Sequence, residues 1–517
     1  MGDITEGEPV GEFAFFTNDP RSATVFAMRP SVVLEINENE YYKIISLQPE
    51  FAQKLTAITI KRLKSNSLQD NIKNAPKNIA IINLQENPDL TPWTQLIENQ
   101  FLKSGINYKL HNRSDLKDEN YDAFFQKLEE NDSLNFFVCN LDQPEWSKQC
   151  CIYSDLVIIA AEFDGKHEIY EIENDLELYK DNVLRKKIYL LLLHPENSPH
   201  AKNTKKWLEK RKIDLHIHFR KHHTRDAARF CRIITNKAVG LVLGGGGAKG
   251  YAHFGAIRAL LEEGIQIDFL GGTSSGAFSG LTVSSLDFDF EKIKFYEEDP
   301  LNKNLTKNDY TFPVISLLTG KKIKKYVQKL FGDLCLEDFW AKTYCVSSNF
   351  SSAQLSMHEE GLASKKVLAS AAIPGVFPPE IIDYELHVDG GVMDNLPIQS
   401  MYKFPVGYII AISLSSSTLH KSEHDDTPSN PELLLDKLLL RKKYKLPSMS
   451  SIIINSLTLN SVQRQIQNKS NATFYLELNL KGFGFLDDSK WKEILQQGHN
   501  QMKEFIKNVN PSEKFWK

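Results

Sequence analysis

The stretch VGLVLGGGGAKGYAHFGAIRALLEEGIQIDFLGGTSSGAFSG, Val239 to Gly280, decides the reading of the chain. It opens on a short apolar run of strand length, Val239 to Leu243, and passes into consecutive glycines, Gly244 to Gly247, followed by Ala248, Lys249 and Gly250. A helical pattern runs from Tyr251 to Glu263, with Ile257, Leu260 and Leu261 on one face, and Gly264 ends it. A second strand, Ile265 to Leu270, leads into Gly272-Thr273-Ser274-Ser275-Gly276 and a further helix. Strand, glycine loop, helix, strand, serine turn, helix is a parallel α/β unit. It brings two glycine-rich turns to the same edge of one sheet.

The serine turn has the pattern G-x-S-x-G of a nucleophile elbow. A serine at a sharp strand-to-helix turn presents its hydroxyl outward, and the flanking positions must be small because strand and helix nearly touch. Gly272 and Gly276 meet that need. The helix that starts beneath the serine aims its first amides at developing negative charge. The glycine loop has two readings. Gly245-Gly246-Gly247-Ala248-Lys249-Gly250 matches the dinucleotide fingerprint G-x-G-x-x-G, which wants an acidic residue at the end of the second strand. Asp268 lies inside that strand, which ends in the serine turn, so the loop reads better as an oxyanion hole built from converging N–H groups.

A third piece lies far downstream. His387-Val388-Asp389-Gly390-Gly391 ends a strand-like stretch from Ile381 to Val388 and precedes Val392-Met393-Asp394-Asn395-Leu396-Pro397. GGGGAKG, GTSSG and DGG, in this order, resemble the patatin-like phospholipases. The resemblance implies a catalytic dyad without histidine: Ser274 as nucleophile, Asp389 as its base, and the amides of Gly245 to Gly250 around the oxyanion. Leu318 to Lys322, Val346 to Asn349 and Ile373 to Pro379 also fit the bacterial relatives of neuropathy target esterase. The resemblance covers roughly residues 75 to 505. Lys249 stands where arginine is commoner in the family and keeps the positive charge.

Composition bounds the rest. The chain of 517 residues is long enough for two to four domains, and 41% hydrophobic and 25% charged residues describe an ordinary globular protein. A formal net charge of −4 gives no support to a nucleic-acid partner. The six cysteines show no C-x-x-C pairing or zinc spacing, which suits a reducing compartment. No apolar run approaches the ~20 residues of a membrane span, and the acidic, polar N-terminus is unlike a signal peptide. These features suggest a cytoplasmic protein that meets membranes from the surface.

The expected domains are 1–66, 67–236 and 237–510. In the first, Gly11 to Phe16, Pro20 to Val25, an alternating strand from Ser31 to Ile36 and a helix from Glu38 to Leu63 resemble part of a cyclic nucleotide-binding domain. The resemblance gives Glu12 the ribose hydroxyl and Arg21 the cyclic phosphate. The cassette starts at Gly11, so the strands that normally precede it are missing and only a partial β-roll is expected, without micromolar affinity for cyclic nucleotides. A polar linker, Ser65 to Lys77, follows.

The second domain alternates strands (Asn78 to Leu84, Leu134 to Asn140, Asp155 to Ala161, Lys187 to His194, Ile213 to Phe219) with helices, and reads as a small α/β unit. His216, His218, His222 and His223 crowd near its end and read as loop residues at the junction rather than metal ligands. In the third, three-layer α/β/α domain, Val406 to Leu414 and Ala472 to Leu480 are late strands and His420 to Pro431 a polar loop. The basic clusters Lys321 to Lys325 and Arg441 to Lys445 are either solvated faces or contacts for anionic lipid headgroups.

The sequence thus predicts a serine hydrolase for carboxylic esters of phospholipids or lysophospholipids, with no metal or organic cofactor. Two rivals stand beside it. One is a Ser-His-Asp esterase whose base is His387, which shares a strand face with Asp389, or another histidine. The other is a cyclic-nucleotide-regulated binding protein with an inactive hydrolase domain.

Overall fold

The computed structural model describes the chain except for residues 1–3, 5–6, 18, 22–23, 28, 65–74, 85–90, 117–119, 132, 181–185, 299–308, 415–425, 440–451, 453–455, 486–488 and 517. The second basic cluster, Arg441 to Lys445, and most of the Ser65 to Lys77 linker lie outside the described residues.

Two sheets follow one another along the chain. The first holds β1 (Asn78–Asn83), β2 (Tyr108–His111), β3 (Leu134–Cys139), β4 (Leu156–Glu162), β5 (Lys187–His194) and β6 (Leu215–Arg220), in the order β2-β3-β1-β4-β5-β6. Every pair is parallel. Runs such as NIAIIN and KIYLLLLH are apolar without alternation because helices cover both faces. Ile79, Ile81, Ile158 and Leu191 pack on one side, and Ala80, Ile82, Ile159 and Leu190 on the other.

The second sheet holds β7 (Ala238–Leu243), β8 (Phe269–Thr273), β9 (Lys342–Asn349), β10 (Gln354–His358), β11 (Glu380–Ile382), β12 (Glu385–Asp389), β13 (Val406–Ser413) and β14 (Phe474–Glu477), in the order β11-β12-β9-β8-β7-β13-β14, with β10 also on β9. Along the run β9-β8-β7-β13-β14 neighbouring strands are parallel, and β10, β11 and β12 run against their neighbours. Val239, Leu241 and Leu243 pack with Phe254, Ile257 and Leu260 of the helix Tyr251–Glu262, and with Trp491 and Ile494 of the helix Trp491–Asn508. On the other face Val242, Phe269 and Tyr344 join Leu396, Met401 and Phe404.

The register of β9 sets the site. Cys345 and Val346 pair with β8 and also with β10, so those two strands lie on opposite edges of β9. Ser347 to Asn349 pair with β10 and with β12, so β12 takes the edge that β8 has left. Thr273 ends β8 opposite Val346, and Asp389 ends β12 opposite Ser347. The residue after Thr273 is therefore delivered to the end of β12.

The structure corrects several expectations. Ser31 to Ile36 forms no strand: among the described residues up to Lys64 there are only helices, Glu12–Thr17, Glu38–Leu47 and Glu50–Lys64. Alternation there finds no partner edge, and Val32, Val33 and Leu34 are exposed. The described residues of this region thus form no strand of the expected partial β-roll, and the single helix expected over Glu38 to Leu63 breaks before Pro49, which cannot supply a helical N–H. The strand expected over Ile381 to Val388 is a hairpin, turned by Asp383 (φ 50°) and Tyr384 (φ 67°). The strand after Gly264 starts at Phe269 rather than Ile265. The late strand expected from Ala472 to Leu480 is confined to Phe474–Glu477. The end of the expected loop His420 to Pro431 lies in the helix Asn430–Leu438, and His420 to Asp425 is outside the described residues.

His216 and His218 are not loop residues but buried members of β6. Both donate to the Glu337 carbonyl, at 3.2 and 2.8 Å, and so tie the first sheet to the segment before β9. Burial drives both rings toward the neutral form, with His218 lowered to about 4.

Candidate active site

Ser274 sits where β8 ends and the helix Ser275–Ser285 begins. Its backbone is at φ 54°, ψ −121°, a strained conformation for a residue with a side chain. The fold enforces it by close approach. A Cβ on Gly272 would fall 2.7 Å from the Gly276 carbonyl carbon, and one on Gly276 would fall 2.3 Å from the Leu243 oxygen. The Ser274 N–H is held by Ser370 Oγ at 2.9 Å.

Ser274 Oγ donates to Asp389 Oδ2 at 2.6 Å, and both residues are buried. Gly391 N–H donates to Asp389 Oδ1 at 2.7 Å, and Ser348 Oγ donates to the Asp389 carbonyl at 2.9 Å. Burial pushes the Asp389 carboxyl up to about 6, against the opposing pull of its hydrogen bonds from Ser274 and Gly391. A carboxylate kept this basic is able to take a hydroxyl proton near neutral pH. Gly390 has no room for a side chain: its Cβ would lie 2.4 Å from the Val346 oxygen.

The glycine loop lies against the serine, since a Cβ on Gly245 would come within 3.0 Å of Ser274 Cβ. Most of its amides are already engaged. Gly245 N–H donates to the Asn395 carbonyl (3.1 Å), Gly246 to Ser275 Oγ (2.9 Å), Ala248 to the Phe485 carbonyl (2.7 Å) and Lys249 to the Gly246 carbonyl (3.3 Å). Gly247, at φ 60°, opens a short 3₁₀ turn through Gly250, and its N–H meets no acceptor among the described residues. Lys249 is half-buried and its ammonium is lowered by desolvation. His253, fully buried, braces the loop by donating to the Gly244 carbonyl at 2.7 Å.

His387 is held away from the serine. Ser347 Oγ bridges His387 Nδ1 at 2.8 Å and His358 Nε2 at 2.7 Å. Burial lowers both rings. In the N-terminal unit Glu12 is buried and Arg21 is exposed, with its guanidinium folded over Gly11: a Cβ there would fall 1.1 Å from Nη1. Among the described residues no group of three or more histidine, cysteine, aspartate or glutamate side chains could hold a metal ion.

The sequence reading missed Ser370, Ser275 and Asn395 as partners of the site. Asn395 also donates from Nδ2 to the Gly245 carbonyl at 3.2 Å. Its place just after DGG was the only available signal. Ser370, on the helix Ala363–Ser370, had none.

A mainly parallel α/β sheet thus carries a serine on a strained turn, a buried aspartate beside it and a glycine loop across from them. Residues 241–402 match the family model of patatin-like phospholipases. Residues 97–239 match the P-loop like domain of the neuropathy target esterase family, and residues 1–47 a cyclic nucleotide-binding domain. The chain is similar to lysophospholipase NTE1 of Meyerozyma guilliermondii, at 25% identity over 96% of this chain and 42% of that protein. It is similar to neuropathy target esterase sws of Drosophila melanogaster, at 24% identity over 98% of this chain and 40% of that one. To lysophospholipase NTE1 of Debaryomyces hansenii the identity is 32%, over 53% of this chain and 18% of that protein. The chain thus spans about two fifths of the length of the first two relatives. No helix among the described residues is long and apolar enough to cross a membrane.

Proposed function

We propose that the chain hydrolyses carboxylic esters of phospholipids or lysophospholipids through Ser274 and Asp389. The observation that carries the reading is the 2.6 Å hydrogen bond from Ser274 to a buried carboxylate, made from a strained strand-to-helix turn. As Ser274 Oγ attacks the acyl carbonyl carbon, its proton passes to Asp389 Oδ2. The carbonyl oxygen becomes an oxyanion facing the glycine loop Gly245 to Gly250. The Gly247 N–H and the first amides of the helix Ser275–Ser285 are the donors suited to it; one such donor is worth about 3 kcal/mol. The tetrahedral species collapses, the C–O bond to the alcohol breaks, and Asp389 returns the proton to the departing oxygen. Water, deprotonated by the same carboxylate, then attacks the acyl-serine carbonyl; the bond to Ser274 Oγ breaks, Asp389 passes the proton to that oxygen, and the fatty acid is freed.

The lysophospholipases and esterase among the relatives support a lipid ester as substrate, and contact with a membrane surface follows from where such substrates reside. The cyclic-nucleotide-regulated binding protein draws no support from a site whose nucleophile, base and glycine loop stand together. Fatty-acid release from a panel of phospholipids and lysophospholipids, alongside intact mass after a fluorophosphonate, tests the reading. Release together with a single adduct on Ser274 is expected. No release, or an adduct elsewhere, would overturn it.

A further inference from the structure

Next to the site the chain exposes apolar side chains that its own core does not need. The loop Tyr310–Leu318 reads YTFPVISLL. Phe312 is 84%, Val314 79% and Ile315 67% exposed, while Leu318 is buried. The loop is ordered by its own hydrogen bonds: Thr311 N–H donates to the Leu317 carbonyl (3.0 Å) and Val314 N–H to the Phe312 carbonyl (2.8 Å). It is also fixed to the machinery. Leu317 and Leu318 N–H groups donate to the Gly375 and Val376 carbonyls, each at 2.9 Å. Three residues before Gly375, the Ala372 carbonyl accepts the Asp389 N–H at 2.9 Å. Leu318, Ile373, Val376 and Phe377 cluster with Phe485, whose carbonyl holds the glycine loop through Ala248.

Immediately after the loop, Gly320 starts the helix Lys321–Phe331. Lys321, Lys322, Lys324 and Lys325 are exposed in its opening residues, and its first turn has no acidic residue. Cations at the positive end of a helix oppose its dipole, so these lysines are placed against the helix's own preference. An array of anions beyond them would turn that cost into attraction.

We infer that the loop Tyr310–Leu318 and the lysine-bearing start of the next helix form the surface on which the chain seats itself on an anionic lipid bilayer. The inference rests on the lipid-hydrolase reading for its sense. Phe312, Val314 and Ile315 enter the boundary between headgroups and acyl chains, with the Thr311, Val314, Leu317 and Leu318 amides already paired within the loop or to the 375–376 segment. The lysines remain at the phosphates. The loop's bonds to the 372–376 segment then hold Ser274 and Asp389 at a fixed distance from the lipid surface.

Sedimentation with sucrose-loaded vesicles of phosphatidylcholine and phosphatidylserine tests this without requiring turnover. The triple variant Phe312→Ser, Val314→Ser, Ile315→Ser should lower vesicle partition by about tenfold or more. It should be labelled by a fluorophosphonate like the parent chain. Lys321→Gln with Lys324→Gln and Lys325→Gln should weaken binding to the anionic vesicles but not to vesicles of phosphatidylcholine alone, and should flatten the salt dependence. Unchanged partition of the loop variant would overturn the inference. So would conversion of a parental dimer to monomer by the same variant, which would make the face a contact between copies of the chain. Failure of the parent chain to hydrolyse a water-soluble short-chain ester would instead count against the lipid-hydrolase reading, and the vesicle result would stand apart from it.

Discussion

The two sheets are built from the same apolar parallel strands, yet they treat a buried carboxylate in opposite ways. In the connections packed on the first, Glu173 and Arg211 form an ion pair with both side chains fully buried. Arg211 donates from Nε and Nη2 to Glu173, both at 2.8 Å, and to the carbonyls of His167 and Glu168. Tyr179 OH and Tyr170 N–H complete the carboxylate's partners. At the end of the same sheet, burial works to raise Asp226, but the hydrogen bonds from Arg220 and His223 win and hold it well below its usual range. In the second sheet Asp389 is buried with two side-chain hydrogen bonds and, among the described residues, no cation that offsets its desolvation, and its carboxyl rises. Fully matched charges rigidify a scaffold, whereas a mismatched one stores proton affinity.

The largest test of this contrast removes the proposed nucleophile. Ser274→Ala should abolish ester hydrolysis and fluorophosphonate labelling while leaving thermal unfolding close to the parent; retained labelling would sink the assignment. Next, Asp389→Asn should cut kcat by about a thousandfold, as expected for a lost general base. In the parent, kcat/KM should fall about tenfold per pH unit below the Asp389 value of about 6, because only the ionised form accepts the proton. If His387→Ala were the crippling change and Asp389→Asn mild, the base would lie elsewhere.

The scaffold side of the contrast gives a smaller effect of a different kind. Arg211→Met leaves Glu173 buried and uncompensated, which should cost about 3–5 kcal/mol in denaturant unfolding. Labelling of the molecules that remain folded should be unaffected. A milder consequence concerns Asp389 itself. Its folded-state value is raised from 3.8 to about 6, so its contribution to stability is intact below about pH 4 and is lost as pH rises through 6. The loss is about 3 kcal/mol at most, from about two pKa units. Asp389→Asn should therefore be more stable than the parent at pH 7.5, with the gap closing below pH 4. A gap of the same size at both pH values would deny the linkage.

The smallest expected effect is none. Addition of cyclic AMP or cyclic GMP at micromolar concentration should give no calorimetric heat and no change in hydrolysis. Arg21 is exposed, and a lone surface contact is worth about 0–1 kcal/mol. An isotherm that disappears in Arg21→Ala would contradict this.

What could be read in the sequence follows from how local each constraint is. The unalternating runs at Asn78 to Leu84 and Lys187 to His194 announce buried parallel strands because both faces are covered. The elbow at Ser274 is legible because Gly272 and Gly276 respond to contacts within a few residues or across one strand. The hydrogen bonds that engage the glycine loop were not legible. Asn395 and Phe485 come from more than a hundred residues away, and no local pattern marks a carbonyl as an acceptor. The Asp383-Tyr384 turn was hidden because, although aspartate tolerates positive φ, Tyr384 is a bulky residue not expected there. At Ser31 to Ile36 the alternation was real but lacked a neighbouring edge, and a strand is a property of a pair.

The handover on β9 has a consequence for the order in which the molecule matures. Ser274 and Asp389 are 115 residues apart in sequence and meet only when β8 and β12 both dock on one edge of β9. Contacts of such separation form late, after loop closure has been met by other structure. If Ser274 is the nucleophile proposed above, its pairing with Asp389 arrives only when both strands have docked on β9. Reactivity toward a fluorophosphonate, followed during refolding, would consequently act as a clock for the closing of that single edge.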